Sequence, residues 1–113
     1  MTKEEIIDII LKNKKILKKY KVKFISLFGS NVRNEQKEDS DVDLLVEFKE
    51  ATYHNFINLV FSLEILLKKE VNLIPEGSLS PYLEPYVKKE ALKIEEKWDF
   101  YKAYLRWDKF YNG

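Results

Sequence analysis

The chain has 113 residues, 45% hydrophobic and 14% aromatic, with 20 Lys and Arg set against 19 Asp and Glu for a formal charge of +1. That is one domain with enough apolar residues for a single core, and its near-neutral charge argues against a dedicated nucleic-acid binder, so no specific nucleic acid is expected as a partner. Cysteine is absent, which excludes disulfides and thiolate metal sites, and no apolar run is long enough for a membrane span or a signal peptide, so a cytoplasmic protein without a membrane partner is expected.

Thr2 and Glu5 have capping-box spacing, and Ile6, Ile10, Leu17 and Tyr20 share a helical face, which predicts one helix from about Lys3 to Tyr20. Seven lysines and no acid lie between Leu11 and Lys23, a run that reads first as a solvated helix face and second as a surface for a phosphate-bearing or acidic partner. Val22–Phe28 is β-branched and aromatic and ends at a glycine, so it is predicted as a buried strand. A polar connection follows from Asn31 to Ser40.

Asp41 to Phe48 is predicted as the second strand, with Asp41, Asp43, Leu45 and Glu47 on one face and Val42, Leu44, Val46 and Phe48 on the other. Apolar residues from Phe56 to Leu67 mark a helix, and Glu70 to Ile74 a short strand. Ser80-Pro81 suits a helix start that Pro85 delays to about Tyr86. Phe100, Tyr104, Trp107 and Tyr111 then recur at helical spacing after Trp98, an aromatic stripe read as a partner or dimer surface. The predicted organisation is an α+β fold, a small mixed β-sheet with helices packed on it over residues 1–97, and a C-terminal aromatic-rich helical extension over residues 98–113.

Two carboxylates two residues apart on one strand face stand about 6 to 7 Å apart along the strand, close enough for both to hold hard cations, with magnesium the natural guest. The Gly29-Ser30 turn supplies the complement. Glycine lets the backbone approach a phosphate closely, and the turn amides with the serine hydroxyl can bind its oxygens. His54, the only histidine, has no second ligand at metal-binding spacing and reads as a surface residue.

Gly29-Ser30, Arg33 three residues later, and Asp41-Val42-Asp43 after ten intervening residues, all between two apolar strands, strongly resemble the signature of the minimal nucleotidyltransferases in the DNA polymerase β-like superfamily. The resemblance implies a polymerase β palm-like fold. It also implies that Gly29 and Ser30 contact a triphosphate, that Asp41 and Asp43 are catalytic ligands of magnesium, two ions in an active form, and that Arg33 assists the phosphates or braces the loop. ATP would be the substrate. Members standing without a second domain resemble antitoxins that partner HEPN-domain toxins and inactivate them by attaching AMP to a tyrosine. For this chain a homodimer or hetero-oligomer is the expected assembly.

The family places a third carboxylate at about the position of Asn72. An amide there offers a neutral oxygen but no charge, and it cannot accept a proton. Three explanations stay open: an engineered substitution, a natural partner-binding protein with little activity, or compensation by Glu70 or Glu47, each of which also reads as an exposed strand-end glutamate. The leading expectation is a magnesium-dependent protein adenylyltransferase acting as an antitoxin. The alternative is a catalytically impaired antitoxin that works by occlusion. Transfer to a small molecule is disfavoured, because such enzymes carry added substrate-binding structure for which this chain has no room.

Overall fold

Thr2 caps the first helix as its spacing with Glu5 predicts: its hydroxyl accepts from the Glu5 amide and the Glu5 carboxylate accepts from the Thr2 amide. The structure, a computed structural model, describes residues 1–33 and 40–94. Its elements run α1 (Lys3–Lys12), α2 (Lys14–Lys19), β1 (Val22–Phe28), β2 (Val42–Phe48), α3 (Tyr53–Leu67), β3 (Val71–Pro75), α4 (Glu84–Glu90) and β4 (Leu92–Lys93).

The single helix expected over Lys3 to Tyr20 is two helices. Asn13 breaks it: its side-chain amide donates to the Ile9 carbonyl at 2.7 Å and its backbone amide to Ile10 at 3.0 Å. An asparagine offers the backbone such local alternatives to the helical ladder. Both pieces still turn the predicted face inward, with Ile6, Ile7, Ile10 and Leu17 buried.

The sheet has the order β3-β2-β1-β4. β1 pairs antiparallel with β2 and β4, whereas β2 and β3 run parallel. Period-two alternation assigns the faces. Ile25, Leu27, Val42, Leu44, Val46, Val71 and Leu73 join one core cluster with Ile6, Ile7 and Ile10 of α1 and Leu59, Leu63 and Leu67 of α3. Burying each such side chain contributes roughly 1.5–3 kcal/mol, so this face carries most of the stability. Ser26, Phe28, Asp43, Leu45, Asn72 and Ile74 belong by alternation to the other face.

Pro85 does not delay α4 to Tyr86; the helix begins at Glu84 with the proline in its first turn, where a missing N–H costs nothing. Lys88 of α4 meets Glu84 at 2.8 Å and Glu76 at 3.4 Å, and these carboxylates, Glu84 above all through its hydrogen bond, hold the ammonium above its ordinary pKa. β4 is an addition that the periodicity does not announce. It is two residues long, yet Ile94 just after it is fully buried. Residues 98–113, assigned above to an aromatic extension, lie outside the described residues. No helix among the described residues is long and apolar enough to cross a membrane.

Candidate active site

β1 ends at Phe28 and is followed by Gly29, whose φ of +75° only glycine adopts without strain. A Cβ added there would lie 2.6 Å from Asp43 Oδ2, so any side chain at this position would displace that carboxylate. The positive φ turns the chain into a 3₁₀ turn over Gly29–Asn31, with Ser30 half-buried at its centre. Asn31 anchors the turn: it is 2% exposed and its side-chain amide donates to the Asp41 carbonyl at 3.2 Å. One turn is thereby tied to the strand start that presents the carboxylates.

The sheet register completes the cluster. Phe28 pairs with Asp43 across β1 and β2, and Asp43 pairs with Asn72 across β2 and β3. The Asn72 amide donates to Asp43 Oδ1 at 2.9 Å and, less closely, to Asp41 Oδ2 at 3.4 Å. The two carboxylates therefore converge on one point, and a hydrogen-bond donor fills it. An N–H group so placed does part of what a cation would do for two like charges.

Oxygen donors of this kind suit a hard divalent cation, and the convergence on the Asn72 nitrogen shows that both reach a common centre. Asp41 and Asp43 would hold such an ion, with the Asn72 amide turned to offer its oxygen. Among the described residues no group of three or more His, Cys, Asp or Glu could do so, because the third position is an amide.

Arg33 is ion-paired with Glu90, the last residue of α4, which gives it a bracing contact between the turn and α4. Lys3 adds a long contact from its ammonium to the Val32 carbonyl at 3.5 Å. Glu47 faces Lys23 at 3.8 Å and stands four residues from Asp43, about 13 Å along the strand, so it does not join the cluster. Glu70 is exposed, and its carbonyl accepts from the Val42 amide at 2.9 Å. His54 is exposed and its ring meets Asn58 and the edge of Tyr20.

Sequence reasoning overlooks Asn31 and Glu90. The first carries a signal, because asparagine in a Gly-Ser turn commonly bonds nearby backbone. The second carries none, since 57 residues separate it from Arg33.

The sequence profile of the polymerase beta nucleotidyltransferase family matches residues 11–100. The chain belongs to that family. A nucleotidyltransferase relative from Methanocaldococcus jannaschii, provisionally named a protein adenylyltransferase, is 50% identical over 99 residues, covering 84% of this chain and 93% of the relative. The protein adenylyltransferase MntA of Thermococcus cleftensis is 42% identical over 96 residues, covering 83% and 97%. A solved structure provisionally named a minimal nucleotidyltransferase superposes with a TM-score of 0.72 at 33% identity, covering 81% of this chain and 95% of its own. A toxin–antitoxin complex solved with AMP-PNP shares the nucleotidyltransferase fold at a TM-score of 0.65 and 23% identity, over 94% and 86% of the two chains. The α+β fold with its mixed sheet is thus the nucleotidyltransferase fold.

Proposed function

We propose that this nucleotidyltransferase is a magnesium-dependent protein adenylyltransferase that transfers AMP from ATP to a tyrosine of a HEPN-domain toxin, and so serves as its antitoxin. The observation that carries the reading is the convergence of Asp41 and Asp43 beside the Gly29 turn. The names of the relatives from Methanocaldococcus jannaschii and Thermococcus cleftensis support the choice of AMP and of a protein acceptor. Related folds occur in MntA–HepT toxin–antitoxin complexes and in a complex of an MNT antitoxin with a tri-AMPylated HEPN toxin.

In this reading the Gly29 and Ser30 amides and the Ser30 hydroxyl grip the triphosphate, while Asp41 and Asp43 hold magnesium, two ions in the active arrangement. Bound there, magnesium would neutralise the phosphate oxygens and the departing pyrophosphate. Arg33 keeps the turn on α4 through Glu90, a positioning role. The acceptor hydroxyl forms a bond to the α-phosphorus as the bond to pyrophosphate breaks, and its proton must leave. Asn72 cannot take that proton, so it falls to water or to a neighbouring carboxylate.

Asn72 also favours a second reading, in which the protein binds nucleotide and toxin but neutralises the toxin by occlusion. An AMP-transfer assay with labelled ATP, magnesium and a HEPN partner separates the two when this chain is compared with Asn72→Asp. Label on the partner with both proteins supports the enzyme. Label with Asn72→Asp alone supports the binder, and label with neither refutes the transferase reading.

A further inference from the structure

The two oxygens of Asp43 face different neighbours. Oδ2 is the atom that a side chain at Gly29 would strike, whereas Oδ1 receives the Asn72 amide. Across the sheet the order is therefore the phosphate turn, then Asp43, then Asn72, and an open groove of about 610 Å³ runs from Phe28 and Asp43 past Asn72 and round to α3. Its walls include Phe56, Ile57 and Val60 of α3 together with Asp43, Asn72 and Ile74. α3 covers the core face, and Asp43 and Asn72 lie on the other. The groove accordingly runs round β3, the edge strand. The Val71 amide donates to the Glu64 carboxylate at 3.1 Å and not to another strand.

In-line displacement requires the attacking hydroxyl and the departing pyrophosphate on opposite sides of the reacting phosphorus. If the pyrophosphate leaves at the Gly29 turn, the hydroxyl must arrive from the Asn72 side, along which the groove continues to Ile74 and α3. Its lining is mostly apolar, and the side chain that combines a large apolar body with a terminal hydroxyl is tyrosine. α3 carries Tyr53, Ile57, Phe61 and Ile65 at spacings of four, and Tyr53, Phe61 and Ile65 are 78%, 55% and 76% exposed. This track is continuous with the groove wall at Ile57, and exposed apolar surface of this extent suits contact with a protein.

We propose that the α3–β3 groove is the acceptor subsite: it seats the ring of a tyrosine on the partner protein and aims its hydroxyl past Asn72, with Phe56, Ile57 and Val60 setting the preference for an aromatic acceptor. This rests on the adenylyltransferase reading. The phenolic oxygen forms the bond to the α-phosphorus, the bond to pyrophosphate breaks, and the phenolic proton passes to water. The nucleoside base lies elsewhere.

The test is a methyl and amide NMR titration of the whole chain with N-acetyl-tyrosinamide, with and without magnesium and a non-hydrolysable ATP analogue, repeated on Val60→Trp. The groove assignment predicts tyrosine-induced shifts at the Ile57, Val60 and Ile74 methyls that persist with nucleotide bound. In Val60→Trp these shifts vanish at Ile57 and Ile74, while nucleotide-induced shifts at Gly29 and Ser30 remain. Absence of tyrosine-induced shifts overturns it, as does nucleotide that moves the same methyls and expels the tyrosine probe, which would place the base in the groove. A failure of the nucleotide reading would register separately, as missing shifts at Gly29 and Ser30, and leaves the methyl result to decide the groove.

Discussion

Gly29 and Asp43 constrain each other, so the turn and the carboxylate cannot be changed independently. Gly29→Ala would add about 1–2 kcal/mol of left-handed backbone strain and drive Asp43 from its place, since the new Cβ meets Oδ2 at 2.6 Å. Denaturant unfolding should show the loss of stability, and a magnesium–ATP titration a larger loss of affinity. Asn31→Ala removes a buried side-chain donor to the half-buried Asp41 carbonyl, at a cost of about 0.5–1.5 kcal/mol, readable in the same unfolding experiment. Asn72→Asp replaces two donated hydrogen bonds with a third like charge. The variant should melt below the parent without magnesium, and magnesium should raise its melting temperature by more than it raises the parent's; equal magnesium shifts in the two would contradict the shared cation centre. At this scale the sequence is most legible where spacing alone decides. Asp41 and Asp43 share a face by period two, and the family pattern points to Asn72 as their neighbour. Asn31 and Glu90 escape notice because their partners are set by how a turn and a distant helix come together.

Strands with a buried face read well from alternation, and β1 matches the prediction residue for residue while β2 and β3 differ by one residue at their ends. Helices read less well where side chains compete with the backbone. Ile6 to Leu17 keep one apolar face, but periodicity cannot register that Asn13 bonds Ile9 and splits the helix. β4 is too short to show a period, and its place depends on pairing with Ser26 and Leu27. α3 illustrates both ends of a helix. Thr52 accepts from the Asn55 amide at 3.1 Å, and Lys68 closes the helix at φ 55°. Lys68→Gly relieves left-handed strain in a solvent-exposed position and should stabilise the fold by about 1 kcal/mol without altering nucleotide affinity, as parallel denaturation and titration would show.

For the molecule as a whole, the division of labour follows the sheet. One face buries the core against α1 and α3 and supplies stability, while the other carries Asp43 and Asn72, which add little to the core. The carboxylates can therefore be removed without unfolding the chain, and this separates the site assignment from the fold. The most direct measurement is a calorimetric titration of ATP with magnesium into this chain and into the Asp41→Ala, Asp43→Ala double variant, with circular dichroism to verify the fold. Magnesium-dependent ATP binding that disappears in a folded double variant is the predicted result. Equal affinity in the two proteins would contradict the assignment of the site.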